Sequence, residues 1–291
     1  MNIMKDYLLR GTALDGKVRA FAVVTTHLTE ELRFKHNTSP TATAALGRVV
    51  AAALMMGSML KNEEKLTIQV KGGGPIGQIV VDANAKGEVR GYVDSPQIDI
   101  PLNEKGKLDV SHAVGENGFL YVIKDLGMKE PYRGSVPIVS GEIAEDITYY
   151  FAKSEQIPSA VMLGVLIEVD CTVRASGGII IQLLPGLTEQ EISEIEQVVM
   201  KIPPLTSMLD QKKTIEQILH DIFPSIHILE KSEVFFRCKC SWERVEQTLL
   251  ILGKTEITDM LKEEGFAELI CQFCNQAYHF DESHLLKLIN Q

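Results

Sequence analysis

"FFRCKCSWER" (residues 235–244) and "ELICQFCNQAYHF" (residues 268–280) hold four of the chain's five cysteines: Cys238, Cys240, Cys271 and Cys274. The pattern is C-x-C, thirty residues, then C-x-x-C. A tight turn can aim two thiols at one ion, and zinc commonly takes its four tetrahedral ligands as two such short-range pairs. The spacing therefore marks Cys238, Cys240, Cys271 and Cys274 as metal ligands with zinc as the cofactor, rather than as four unrelated thiols. Between the pairs, "SWERVEQTLLIL" and "TEITDMLKEEG" read as helices that cover the site with Leu and Ile. "NQAYHF" reads as a strand returning from the second turn, and Asp281 is placed to cap "ESHLLKLIN". A module of about sixty residues is too small to rely on its own core, so the metal should supply much of its folding energy. His279 is a substitute ligand by type, but four cysteines already close the shell.

Four thiolates on one divalent ion leave the site negatively charged, with Arg237 and Lys239 beside Cys238 to moderate it. The metal keeps the sulfurs deprotonated, and the thiolate is the form an oxidant attacks. Oxidised sulfurs no longer ligate, so the metal and the folding energy it supplies are lost together. The fifth cysteine, Cys171, lies in the apolar run "SAVMLGVLIEVDCTVRASGGIIIQLLPG" (159–186). It reads as a small buried hydrophobe within a strand, shielded from oxidants.

At 291 residues, 45% hydrophobic and 23% charged, the chain has ordinary globular composition and enough length for a large domain with an appendage. The opening "MNIMKDYLLRGTALDGKVRA" lacks the apolar core of a secretory signal, and the longest apolar run, 49–60, is too short to span a bilayer. The expectation is a cytoplasmic protein with no membrane contact, where permanent disulfides are disfavoured and clustered cysteines serve metal or redox chemistry. A net charge of −10 speaks against a dedicated nucleic-acid binder, which needs a basic face for phosphates.

The remaining chain reads as an α+β fold in three parts: a mixed α/β N-terminal core (1–185), a helical linker (186–230) and a small C-terminal zinc-binding domain (231–291). In the core, "RAFAVVTT", "KLTIQV", "IGQIVVDA", "EVRGYVD", "GKLDVSHAV" and "GFLYVIKDL" read as strands. "SPTATAALGRVVAAALMMGSML" opens with Ser39 and Pro40 and is apolar nearly all round, the signature of a helix buried on most faces. "SGEIAEDITYYFAKSEQIP" is amphipathic and helical. Gly72, Gly74 and Gly77 match G-x-G-x-x-G, but Pro75 and a strand follow where a dinucleotide loop needs a helix. Residues 186–233 carry nine acidic residues against four lysines. Within them "TEQEISEIEQVVMKI" places Ile192, Ile195, Val199 and Ile202 on one helical stripe; "PPLTSML" breaks it, and "TIEQILHDIF" forms a second helix. Helices this short must bury their stripes on a neighbouring domain, either as an ordinary connector or as one built to detach.

These residues, with "GGIIIQLLPG", "GGGPIGQIVVDANAKGEVRGYV" and "SEQIPSAVMLGVLIEVD", closely resemble the bacterial thirty-three-kilodalton heat-shock protein family of redox-regulated chaperones. The resemblance implies a reduced, zinc-bound form that is inactive. It implies that oxidation pairs Cys238 with Cys240 and Cys271 with Cys274, releases zinc, unfolds the linker and favours a homodimer. The activated form would hold unfolding client proteins without ATP, and the chain would not be an enzyme. The alternative is a zinc-ribbon nucleic-acid-binding or translation-associated factor, which would share the cysteines but should cluster Lys and Arg.

Overall fold

The computed structural model describes residues 5–289. The chain divides into two compact units, one ending at Phe236 and the other beginning at Arg237. The first unit opens with the hairpin β1 (Tyr7–Ala13) and β2 (Val18–Val24), followed by helices α1 (Thr26–His36) and α2 (Pro40–Gly57). The meander β3 (Lys65–Lys71), β4 (Gln78–Asn84) and β5 (Glu88–Val93) comes next, then α3 (Val110–Val114), β6 (Phe119–Asp125) and β7 (Tyr132–Pro137). Helix α4 (Ala144–Tyr150) runs on through a wider turn, Phe151–Glu155, into the long hairpin β8 (Ser159–Ile167) and β9 (Val173–Leu183). Three helices, α5 (Glu189–Lys201), α6 (Leu205–Asp210) and α7 (Ile215–Ile222), lead to β10 (His227–Glu233) and β11 (Phe235–Phe236).

These strands form a five-stranded sheet, β10-β1-β2-β9-β8, and a six-stranded sheet, β11-β5-β4-β3-β6-β7. Helix α2 packs on both, and Pro40 and Arg48 are its two residues short of full burial. That is why its sequence is apolar all round, and why it is built from Ala, Val and Gly. By length and composition α2 could cross a membrane, yet 89% of its apolar window is buried in the protein. "GKLDVSHAV" does not form the expected strand. Its Asp109 carboxylate accepts the His112 amide and starts the short helix α3 instead. The glycine motif is a strand connection. A Cβ at Gly74 would lie 2.4 Å from the Ala113 carbonyl oxygen, and one at Gly72 would lie 2.2 Å from those of Val114 and Gly115. Acceptor oxygens fill the space that a phosphate would need.

Alternation along the five-stranded sheet assigns its two faces. Leu8, Phe21, Val23 and Ile180 turn toward the α2 core. Leu9, Ala20, Ala22, Ile179 and Ile181 turn the other way, into a second cluster with Ile195, Leu205, Met208, Ile218 and Ile222. Because both faces are covered, "GGIIIQLL" reads as continuous apolar strand. Helices α5, α6 and α7 form that second cover; α6 follows the Pro203–Pro204 break that ends α5. Reciprocal caps start α5 (Thr188 with Glu191) and α7 (Thr214 with Gln217).

A polar clamp adds to this cover. The Tyr7 hydroxyl donates to Glu216 at 2.6 Å, Lys231 donates to the same carboxylate at 2.7 Å, and its ammonium lies 4.0 Å from the Tyr7 ring centroid. Burial pushes the Glu216 carboxyl up, but the Lys231 and Tyr7 donors outweigh it and hold the group below its ordinary range. A carboxylate depressed by folding stabilises above its unfolded value, near pH 4.3, and that contribution is lost as pH falls through the folded value. Acidification from about pH 5 to about pH 3 should therefore speed pepsin cleavage within 186–226 more in the native chain than in Glu216→Gln. Identical profiles would leave the apolar contacts as the whole attachment.

The second unit contains α8 (Trp242–Leu252), α9 (Lys254–Glu263), the hairpin β12 (Ala267–Ile270) and β13 (Ala277–Phe280), and α10 (Glu282–Ile289). Its core is small: Leu249, Ile257, Ala267, Phe280, Leu285 and Leu288 are its fully buried members. Ser241 caps α8, and the Asp281 carboxylate accepts the His284 amide at 2.9 Å to start α10.

Candidate metal centre

Two turns build the site. Residues 238–240 make the first, in irregular chain before α8. The second turn joins β12 to β13: the Cys271 amide donates to the Gln276 carbonyl at 3.0 Å, and the Asn275 amide to the Cys271 carbonyl at 2.8 Å. Asn275 takes the left-handed conformation that closes this turn, φ 57°. Among the described residues, the sulfurs of Cys238, Cys240, Cys271 and Cys274 all lie within 4.8 Å of one another. Cys238 and Cys271 are 3.7 Å apart, Cys240 and Cys274 3.3 Å. A tetrahedral ion with ligand bonds of about 2.3 Å needs sulfur separations of about 3.8 Å, so the four fit one metal ion with small adjustments.

Partial burial pushes the Cys238 thiol up, but the Cys240 amide and hydrogen bonds from neighbouring thiols prevail and bring it down to about 7. Burial pushes the Cys271 and Cys274 thiols up; the neighbouring sulfurs add to this at Cys274, while at Cys271 the Cys274 contact opposes it and the Cys238 contact adds to it. Ligation requires the deprotonated sulfur, so a divalent cation held here would take all four as thiolates.

The aromatic surround is as specific as the ligands. Tyr278 donates its hydroxyl to Cys240 Sγ at 3.1 Å. The Trp242 ring centroid lies 4.5 Å from that of Phe280 and 6.1 Å from that of Tyr278. His279, next along β13, turns to the opposite face and lies against the Phe266 ring at 4.9 Å, so it is not part of the sulfur cluster. Neither Trp242 nor Tyr278 was evident from the spacing of the cysteines. Their one sequence signal is an aromatic residue within four positions of a cysteine.

Cys171 corrects the sequence reading. It occupies the turn between β8 and β9, half-buried, with a left-handed backbone at φ 69° and its amide bonded to the Glu168 carbonyl. Glu168 and Asp170 interrupt the apolar run and mark this turn, so the thiol is not a buried strand residue. In metal-loaded protein, iodoacetamide should modify Cys171 first, and the other four only after a chelator is added. Peptide mass mapping checks this; equal rates at all five with metal present would mean the four do not hold it.

The proposed stripe lies on the second cover of the five-stranded sheet. Ile195 is buried there; Val199 and Ile202 pack partly buried beside it, and Ile192 is half-exposed. The more deeply seated helix is α7, whose Ile215, Ile218, Leu219 and Ile222 are all buried. These four recur at helical spacing within only eight residues.

The family model of the Hsp33 protein matches residues 6–281. The 33 kDa chaperonin of Geobacillus sp. (strain WCH70) is 52% identical over 287 residues, 98% of this chain and 97% of that protein. The Bacillus subtilis 33 kDa chaperonin is 51% identical over 287 residues, 98% of this chain and 99% of that one. The crystal structure of the Thermotoga maritima 33 kDa chaperonin superimposes with a TM-score of 0.93 at 39% identity, covering 99% of this chain and 98% of that chain. With the fold, the cysteine cluster and the whole chain all in agreement, this protein belongs to the Hsp33 family.

Proposed function

We propose that this chain is a redox-regulated, ATP-independent holdase, a binding protein rather than an enzyme. The observation that carries the reading is the four-sulfur cluster in a unit with six fully buried core side chains. Cys238, Cys240, Cys271 and Cys274 would hold zinc, which when bound keeps the sulfurs as thiolates and supplies folding energy to this unit. Oxidation of those thiolates to Cys238–Cys240 and Cys271–Cys274 disulfides removes the ligands, and Cys171 stays outside both pairs. The second unit then loses its fold, and the cover formed by α5, α6 and α7 within the linker detaches from the five-stranded sheet. Residues 237–291 act as the sensor, and 231–236 stay with the sheets of the first unit. The detached stripe, Ile192, Ile195, Val199 and Ile202, together with the sheet face it uncovers, offers apolar surface to unfolding clients, and two opened chains pair as a homodimer. The acidic balance of the chain keeps the opened form in solution.

Charge also weighs against a nucleic-acid role. The metal unit, 237–291, carries nine acidic residues against six Lys and Arg, and would repel a phosphate backbone. The test is zinc content and suppression of client aggregation, measured before and after hydrogen peroxide with mild heating. Zinc release with onset of holdase activity is expected. Equal activity in the reduced, metal-loaded form, or zinc retained through oxidation, would overturn the reading.

A further inference from the structure

We infer that Tyr278 sets the oxidant threshold of the thiolate site, through the hydrogen bond its hydroxyl donates to Cys240 Sγ. The inference rests on the redox reading above and names a residue that regulates it. Cys238 is met by the backbone amide of Cys240, Cys271 by those of Phe273 and Cys274, and Cys274 by that of Gln276. Cys240 is met by a side-chain hydroxyl at 3.1 Å, reached across 38 positions of sequence. An amide is fixed by the fold, whereas a side-chain donor is a place where one residue tunes the metal site.

The donor is held in place. Tyr278 sits in β13 opposite Leu269 of β12, and its ring is flanked by Trp242, which rests on Phe280. The hydroxyl therefore meets the sulfur without ordering a free side chain. Such outer contacts orient ligands and shift metal affinity or reactivity by roughly 10–100-fold when removed.

The step it governs is the attack on peroxide. A thiolate sulfur attacks one oxygen of hydrogen peroxide; the O–O bond breaks, hydroxide leaves and a sulfenic acid forms. A second thiolate attacks that sulfur, the S–S bond forms and a second hydroxide leaves. Two thiolates give up two electrons, peroxide takes them, and two solvent protons convert the hydroxides to water. An O–H···S bond occupies a lone pair on Cys240 and draws charge from it, so Cys240 is a slower nucleophile than it would be without Tyr278. Tyr278 thereby protects the site against low oxidant levels.

The test compares zinc-loaded native chain with Tyr278→Phe, following zinc release into a chromogenic chelator at fixed peroxide. Trp242 is the chain's single tryptophan, so its emission reports the fold of this unit separately. Release about tenfold faster in Tyr278→Phe, from an unchanged starting emission, is expected. A second measurement reads the sulfur itself: substoichiometric peroxide with a sulfenic-acid trap should mark a larger share of Cys240 in Tyr278→Phe than in the native chain. Equal or slower release in a folded Tyr278→Phe, or no gain in Cys240 trapping, overturns the role of Tyr278. Native chain that keeps its zinc through peroxide overturns the redox reading itself, and the inference with it.

Discussion

Cys271→Ser should leave the C-terminal unit with neither metal nor fold. Cys271 supplies one of four clustered sulfurs and also anchors the turn, its amide and carbonyl both bonded across it. Structural zinc sites contribute about 10–16 kcal/mol of apparent binding energy at neutral pH. Against this, the unit's own core is six fully buried side chains, too few to hold about fifty-five residues unaided. Metal stoichiometry should fall from one per chain to near zero. The Trp242 emission should shift to the red as its packing on Phe280 is lost, while the first unit keeps its cooperative melting. Full occupancy with native emission in Cys271→Ser would remove the four-sulfur assignment.

Ile195→Glu should open the second cover of the five-stranded sheet without touching a cysteine. Ile195 is buried against the sheet in a cluster that includes Ile179, Ile181, Leu205 and Ile218. Its burial is worth about 1.5–3 kcal/mol, and an unpaired carboxylate in its place adds a desolvation penalty. Since 1.4 kcal/mol is a factor of about ten, the open fraction should rise well over tenfold. The α2 core on the sheet's other face shares no side chain with this cluster and should persist. Faster proteolysis within 186–226, and partial holdase activity under reducing conditions with zinc still bound, are the expected results. Opening without client binding would make the stripe the client site more than the latch. No change in either would exclude the stripe from the switch.

The cysteine cluster was legible in the sequence because turn chemistry is local. C-x-C and C-x-x-C each place two thiols on one turn, and two turns joined by short helices can meet at one ion. The apolar helix at 40–57, the capped helices α5 and α7, the meander of β3 to β5 and the Asp281 cap were likewise visible, since each is written in neighbouring residues. The strand expected at "GKLDVSHAV" failed for the same local reason: Asp109 competes for the backbone amide of His112.

Other features depend on partners far along the chain, and tertiary structure decided those. Strand β10 pairs with β1 more than 200 residues away, which no periodicity in either segment specifies. Cys171 looked buried because its run is apolar, but burial is a property of what packs against a residue, and a turn has little against it. The stripe on α5 was visible as a pattern; that α7 carries the deeper anchor follows from the small Ala20 and Ala22 beneath this layer and the Tyr7–Glu216–Lys231 clamp. Tyr278 is the sharpest case. Its place in a strand was readable, but its contact with Cys240 arises only when the β12–β13 hairpin folds back on the first cysteine pair. Ligand identity is set by chemistry within a few residues, whereas the environment that tunes a ligand is assembled from segments that only the folded chain brings together.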